Sequence, residues 1–249
     1  MESQEVEEKI KTLAKWVGES QNIVFFGGAG VSTESGIPDF RSIDGLYHQK
    51  YDFPPETILS HTFFEAHPDE FYRFYHDKML CLDAKPNAAH KKLTQWERDG
   101  RLKAVITQNI DGLHQAAGSR NVLELHGSVH RNYCQKCHKF FDAAYMRAHV
   151  GIPRCIPRCD TCGGVIKPDV VLYEEGLDRE TLERAVSYIR QADILIVGGT
   201  SLVVYPAAGL IRYYQGKKLV LINKGTTAYD QDAQLVISAA IGKVMEQLP

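Results

Sequence analysis

Four of the six cysteines in this chain fall into two Cys-x-x-Cys pairs: Cys134 and Cys137 in "YCQKC", Cys159 and Cys162 in "RCDTCGG". Two such knuckles bring four thiolates into a tetrahedron that suits zinc. The 21 residues between the pairs run slightly past the usual zinc-ribbon spacing of about 15–20. Four sulfurs fill the coordination and leave no position for water, so the expected role is structural, with one zinc per chain. Free or redox thiols are the alternative reading, which a single pair would leave open. Cys155 competes with Cys159 as a ligand, but the paired spacing favours Cys159 and Cys162. Cys81 stands alone and reads as a buried thiol.

A second group of residues suggests phosphate chemistry. "FFGGAGVSTESGIPDFR" (25–41) begins as a nucleotide-binding loop does, with an apolar run followed by glycines at 27, 28 and 30. A dinucleotide fold would carry a third glycine at 33 and run straight into a helix. Position 33 is Thr33, and Ser35-Gly36-Ile37-Pro38-Asp39 disfavours a helix. The acidic residue expected about twenty positions further on is also missing, since Asp52 follows no strand-like run. A dehydrogenase reading is therefore weak.

Other chemistry-bearing residues stand at the ends of apolar runs. "LKAVI" stops at Thr107-Gln108-Asn109, "NVLEL" at His126-Gly127, "ADILIV" at Gly198-Gly199-Thr200-Ser201 and "KLVLI" at Asn223. Together with "NIVFF", which stops at Gly27-Gly28, these read as five strands buried on both faces. Helical stretches at 87–98 and 178–191 lie between strands, and an amphipathic helix over 4–19, capped by Ser3, precedes the first. Strands alternating with helices predict an α/β fold with a doubly wound, parallel, Rossmann-like sheet. In such sheets ligands sit outside the carboxyl ends of the strands, the rim to which all five runs deliver their polar ends. Two segments fall outside the alternation: 40–85, aromatic-rich and helical in its second half, and 129–169, with the zinc ribbon. They predict a small lobe (40–85 and 129–169) set into a large one (1–39, 86–128 and 170–249).

"GAGVSTESGIPDFR", "TQNIDGLH", "ELHGS", the two cysteine pairs, "GTSLVVYPAA" and "LIN" occur in the order found in the sirtuin family of NAD-dependent protein deacylases. The resemblance runs from about residue 10 to the C-terminus and is closest to the single-domain bacterial and archaeal members. It implies that Gly28, Ala29 and Gly30 let the backbone approach the cofactor pyrophosphate. Thr33 and Arg41 would hold phosphates and ribose, with Asp39 in the same stretch, and Phe40 would cover the reacting ribose face. Gln108 and Asn109 belong to the ribose side, Asn109 also holding a water. Ile110 lines the nicotinamide pocket and Asp111 accepts from the nicotinamide amide. Gly199, Thr200 and Ser201 serve phosphate or ribose, and Asn223 the adenosine end. His126 is the implied general base, since hydroxyl activation at neutral pH suits an imidazole.

The implied reaction runs in three stages. The acyl-lysine carbonyl oxygen attacks the anomeric carbon as nicotinamide leaves. The ribose 2′-hydroxyl attacks the resulting imidate, and water releases lysine and an acylated ADP-ribose. The peptide adds as a strand along Val170, Val171, Leu172 and Tyr173. Here the chain departs from the family: Tyr173-Glu174-Glu175 replaces the Phe-Gly-Glu of many relatives, which stiffens the loop. Relatives that remove succinyl or malonyl groups carry Tyr-x-x-Arg; this chain has Tyr75-His76-Asp77-Lys78, which favours acetyl or apolar acyl groups. A mono-ADP-ribosyltransferase and a non-catalytic zinc-binding module are the competing readings.

Composition bounds the rest. A formal net charge of −2 gives no electrostatic case for nucleic acid. "MESQEVEEKIKTL" has no apolar h-region, and no apolar run approaches a membrane span. The expected location is cytoplasmic, the expected partners acyl-lysine proteins or peptides.

Overall fold

Apolar residues at helical spacing behind the N-terminus put one stripe on the core. The computed structural model describes residues 2–40, 45, 51–150, 152 and 156–249. It forms helix α1 there over Glu2–Glu19, with Ile10, Leu13 and Val17 buried. The helix starts ahead of Ser3, so the expected cap position lies inside the first turn.

Strand β1 (Ile23–Gly27) follows. Short helices α2 (Pro55–Ile58), α3 (His61–Ala66) and α4 (Pro68–Phe74) lead through a π-helical turn at Tyr75–Met79 to α5 (Ala88–Arg98). Next come β2 (Leu102–Thr107), α6 (Leu113–Ala117), β3 (Val122–Glu124) and β4 (Gly127–Cys134). Then β5 (Phe140–Asp142), α7 (Ala143–Arg147), β6 (Ile166–Val170) and α8 (Arg179–Gln191). The last elements are β7 (Ile194–Gly198), a 3-10 stretch at Ala207–Tyr213, β8 (Leu219–Asn223), β9 (Leu235–Ser238) and α9 (Ile241–Met245).

Six strands form one sheet in the order β3-β2-β1-β7-β8-β9, every neighbouring pair parallel. This is the doubly wound arrangement predicted, and the chain reverses its direction of sheet growth at β1. All five residues of β1 are buried. Ile23 and Phe25 face the core under α1, α5 and α9; Val24 and Phe26 face the one under α8 and the 3-10 stretch. That alternation is why the strand reads as a continuous apolar run. The sixth strand, β9, was not expected: it is a short run at the sheet edge, bounded by Gln234 and Ala239. No helix among the described residues is long and apolar enough to cross a membrane.

A second, antiparallel sheet has the order β5-β4-β6. Sequence reasoning gave this region a zinc ribbon but no strands, because Pro168 interrupts β6 and Gly127-Ser128 opens β4. Proline is tolerated because β6 is an edge strand. This sheet and helices α2–α4 share a third core of Phe63, Phe64, Phe71, Tyr72, Phe74, Val129 and Ile166. The 40–85 segment is helical earlier than expected, from Pro55. A proline at the first position of α2 and of α4 fits the helix start, where no N–H bond is lost.

Candidate active site and metal centre

Strands β1 and β7 end side by side where the sheet changes direction. Gly28 N donates to Gly198 O at 3.2 Å and Gly30 N to Gly199 O at 2.7 Å. A Cβ on Gly28 would lie 2.7 Å from Thr200 Cβ, and one on Gly199, at φ 61°, would lie 2.3 Å from Val31 N. Both positions therefore need glycine. The residues after the two strands lock together. Thr200 Oγ1 donates to Gln108 Oε1 at 2.8 Å. Thr200 N donates to Asn223 Oδ1, and Asn223 Nδ2 to Thr200 O, each at 2.9 Å. Gln108, Thr200 and Asn223, collected from β2, β7 and β8, thus form one polar rim. Ser201 is exposed beside it. Ala29 and Gly30 belong to a 3-10 turn (Ala29–Val31) rather than an α-helix. Thr33 Oγ1 turns back to donate to Gly30 O at 3.0 Å. Asp39 is partly buried, and Phe40 packs against the third core. Arg41 lies outside the described residues.

A second cluster sits below the rim. Asn109 Nδ2 donates to Ser32 Oγ at 3.0 Å, and Ser32 Oγ donates to Asp111 Oδ2 at 2.6 Å. Asp111 Oδ1 accepts from Leu113 N at 2.9 Å. Ile110 packs against the third core while its carbonyl accepts from Val129 N at 3.0 Å. Ser32, only 1% exposed, is the member that sequence reasoning missed. A serine in a glycine loop looks like any turn residue until its partners at 109 and 111 are brought to it.

His126 lies on the crossover between the two sheets, after β3 and directly before β4. Strand β3 ends at Glu124, so the histidine is two residues past the strand instead of at its tip. Its Nδ1 is 3.0 Å from Gln108 O. A carbonyl can only accept, so that nitrogen carries the hydrogen and Nε2 keeps its lone pair. Burial holds the imidazole pKa below the usual histidine value, and the Gln108 carbonyl offsets part of that shift. The ring is neutral near pH 7 and able to take up a proton at Nε2.

The four sulfurs of Cys134, Cys137, Cys159 and Cys162 all lie within 4.8 Å of one another. Cys134 Sγ to Cys162 Sγ is 3.4 Å and Cys137 Sγ to Cys159 Sγ is 3.6 Å. These separations are far beyond a disulfide bond of about 2.05 Å. They approach the edge of about 3.8 Å that a tetrahedron with zinc–sulfur bonds of about 2.3 Å requires. Lys136 N and Thr161 N donate to Cys134 Sγ and Cys159 Sγ, both at 3.4 Å, as knuckle amides do for thiolates. The donor set fits one structural zinc, which would staple the end of β4 to the approach to β6. Cys155 lies outside the described residues.

The Sir2 family model matches residues 28–206, from the glycine loop to the turn after β7. The chain belongs to the Sir2 family. It is 63% identical to an NAD-dependent protein deacetylase of Clostridium acetobutylicum over 241 residues, 96% of this chain and 97% of that one. A deacetylase of the same name from Clostridium tetani is 58% identical, covering 94% and 95%. Among solved structures, a Sir2 with p53 peptide and NAD+ matches with TM-score 0.84 at 40% identity, covering 96% of both chains. A Sir2 bound to a propionylated peptide matches with TM-score 0.84 at 38% identity and the same coverage.

The stretch singled out for peptide binding in this Sir2 chain continues from β6. Val171 N donates to His126 O at 3.1 Å, tying it to the crossover. Val170 and Leu172 are buried, Tyr173 exposed. Tyr75 is buried among Phe71 and Tyr72, and its hydroxyl meets no partner. Lys78 Nζ pairs with Asp77 at 3.1 Å. The lysine is thus engaged by the neighbouring carboxylate. Cys81, expected to be buried, is half-buried in a cleft of about 350 Å³ with Asp111, Gly112 and His130. Burial and the Asp111 charge push its thiol pKa up.

Proposed function

We propose that this Sir2-family chain is an NAD-dependent protein lysine deacetylase, passing the acyl group to ADP-ribose with release of nicotinamide. Relatives of that name span nearly its whole length. The observation that carries the reading at residue level is His126, whose tautomer Gln108 O fixes with Nε2 open to accept a proton. NAD supplies a ribose carbon made electrophile by departure of nicotinamide.

The chain's own groups do the rest. Gly28, Ala29 and Gly30 bring backbone close to the pyrophosphate, helped by Thr33, Asp39 and Arg41. Thr200, Gly199 and Ser201 serve phosphate and ribose from β7, and Asn223 the adenosine end. Gln108 and Asn109 orient the ribose hydroxyls, and Phe40 shields that face from water. Asp111 and Ile110 hold the nicotinamide amide and ring, and Ser32 sets the Asp111 carboxylate. His126 Nε2 takes the proton from the ribose hydroxyl. An acyl-lysine peptide lies along Val170, Val171, Leu172 and Tyr173. Acetyl and apolar acyl groups are preferred, because Lys78 is engaged by Asp77 and lacks arginine's fork.

We read a large lobe of residues 1–39, 86–128 and 170–249 and a small lobe of 40–85 and 129–169. The third core, shared by helices α2–α4 and the antiparallel sheet, supports a separate small lobe, and Ile110, Val170 and Leu172 pack there from the large one. We read the partners as acyl-lysine proteins and the location as cytoplasmic, without nucleic-acid or membrane partners; a net charge of −2 gives no electrostatic case for nucleic acid. The test is incubation of zinc-loaded protein with NAD and an acetyl-lysine peptide. Release of nicotinamide and free lysine in equal amounts is expected; folded protein that releases none would point to a binding module.

A further inference from the structure

The chain turns sharply after the peptide edge. Glu175 N donates to Leu172 O at 3.1 Å, closing a four-residue turn whose third position is Glu174, at φ 77°. Tyr173 does not share the positive φ, so the turn is of type II, whose third position favours glycine. A glutamate there works against its backbone preference.

What holds it lies on α3. Glu174 Oε2 accepts from Thr62 N at 2.9 Å and from Thr62 Oγ1 at 2.7 Å. The backbone joins the same place: Tyr173 N donates to Leu59 O at 2.9 Å, and His61 N to Tyr173 O at 3.0 Å. The next residue is anchored separately. Glu175 accepts from Leu172 N at 2.8 Å and Lys167 Nζ at 3.1 Å, and meets His61 Nδ1 at 2.9 Å. The two consecutive glutamates thus fasten the turn to α3 and β6.

We infer that Glu174 and Thr62 form a latch that holds the segment Val170–Tyr173 ready for an incoming acyl-lysine peptide. Glu174 is then a positioning residue that sets peptide affinity and leaves the chemistry at NAD unchanged. The inference rests on the reading of this segment as the peptide edge. Strand addition requires the edge backbone to be ordered, and a mobile edge must lose that freedom on binding. Here the ordering is built into the free protein by two hydrogen bonds to a carboxylate. The departure from glycine at this position thus acquires a purpose.

The test compares full-length, zinc-loaded wild type with Glu174→Gly, Glu174→Gln, Thr62→Val and Thr62→Ser. Glycine accepts the positive φ without strain but also frees the turn, so Glu174→Gln, which keeps the side chain and removes the charge, separates the latch from backbone freedom. The KM for an acetyl-lysine peptide should rise about threefold to tenfold, the loss expected for one or two net hydrogen bonds. The KM for NAD and kcat at saturating peptide should stay at wild-type values. Thr62→Val should raise the peptide KM less, Thr62→Ser should restore it, and Glu174→Gln should fall between wild type and glycine. The double variant Glu174→Gly with Thr62→Val should be no worse than Glu174→Gly alone. An unchanged peptide KM in Glu174→Gly overturns the latch. So does an equal rise in the KM for NAD, or a Thr62→Ser that behaves like valine, since both indicate general loosening. Zinc content and melting temperature check that each variant folds, and Glu174→Gln carries the comparison if glycine does not. A wild type that releases no nicotinamide defeats the deacetylase reading; an active wild type with insensitive variants defeats only the latch.

Discussion

At His126 a single hydrogen bond decides what the residue can do. With Nδ1–H fixed on Gln108 O, only Nε2 can receive a proton, and it must be empty to do so. Burial lowers the imidazole pKa, so the neutral form dominates at pH 7 and above. The rate should stay level from about pH 8 to 7 and fall only as pH drops below about 6.5. A kcat/KM profile checks this; an acid limb with its midpoint above pH 7 contradicts it. His126→Ala should lower deacetylation by about 10²–10⁴, the usual contribution of a general base, while NAD and peptide still bind. Exchange of labelled nicotinamide into NAD should survive in that variant, because it precedes the proton transfer. Asp111→Asn should behave differently. Asp111 accepts from Ser32 and Leu113 with its two oxygens, so the amide disturbs the pocket itself, and deacetylation and exchange should fall together. Near-normal deacetylation in His126→Ala would make the imidazole a structural residue.

At the scale of elements, the knuckles and the π-helical turn each carry an expectation. The zinc site joins β4 to the segment before β6 in a small antiparallel sheet, so its ligands serve folding. Cys134→Ala or Cys162→Ala should lose the metal and destabilise this sheet, and metal analysis of wild type should give about one zinc per chain. Cys155→Ala should keep the zinc; loss of metal there would reassign the ligands. In the turn at Tyr75–Met79, Lys78 is paired with Asp77. Deacetylation of one peptide should therefore outrun desuccinylation of the same peptide in a side-by-side rate comparison. Faster desuccinylation would mean that Lys78 leaves Asp77 to meet the acyl carboxylate.

For the whole molecule, two buried histidines contribute to acid instability. His90 of α5 and His114 of α6 have ring centroids 4.7 Å apart and are 0% and 1% exposed. Burial pushes the His90 pKa down to about 4, with Asp111 opposing, and holds His114 well below its usual value. Both stay neutral in the folded chain while the unfolded chain takes up protons below about pH 6.5. The unfolded state then binds more protons, so stability must fall as pH falls from 6.5 towards 4. Denaturant midpoints should be flat between pH 7 and 8 and drop steadily below 6.5; a midpoint unchanged between pH 7 and 5 would contradict the assignment.

The sequence by itself determined the parallel sheet, because strands buried on both faces need unbroken apolar runs and "NIVFF", "LKAVI" and "ILIV" are such runs. It also determined the metal class, because two knuckles of four thiols leave zinc little competition. Glycines 28 and 199 were legible for the same local reason, since backbone contact and positive φ exclude side chains. The tertiary structure alone decided the rest. Ser32 became a candidate site residue only when β1 and β2 brought Asn109 and Asp111 to it. The tautomer of His126 depends on a carbonyl 18 residues away, and the tie between Glu174 and Thr62 spans 112. The small sheet escaped notice because β6 carries a proline, β4 opens at a glycine and serine, and the strands find their partners across the knuckles. Periodicity reports which face a residue turns inward; it does not report which distant polar group waits there, since that is set by the packing of elements far apart in the chain.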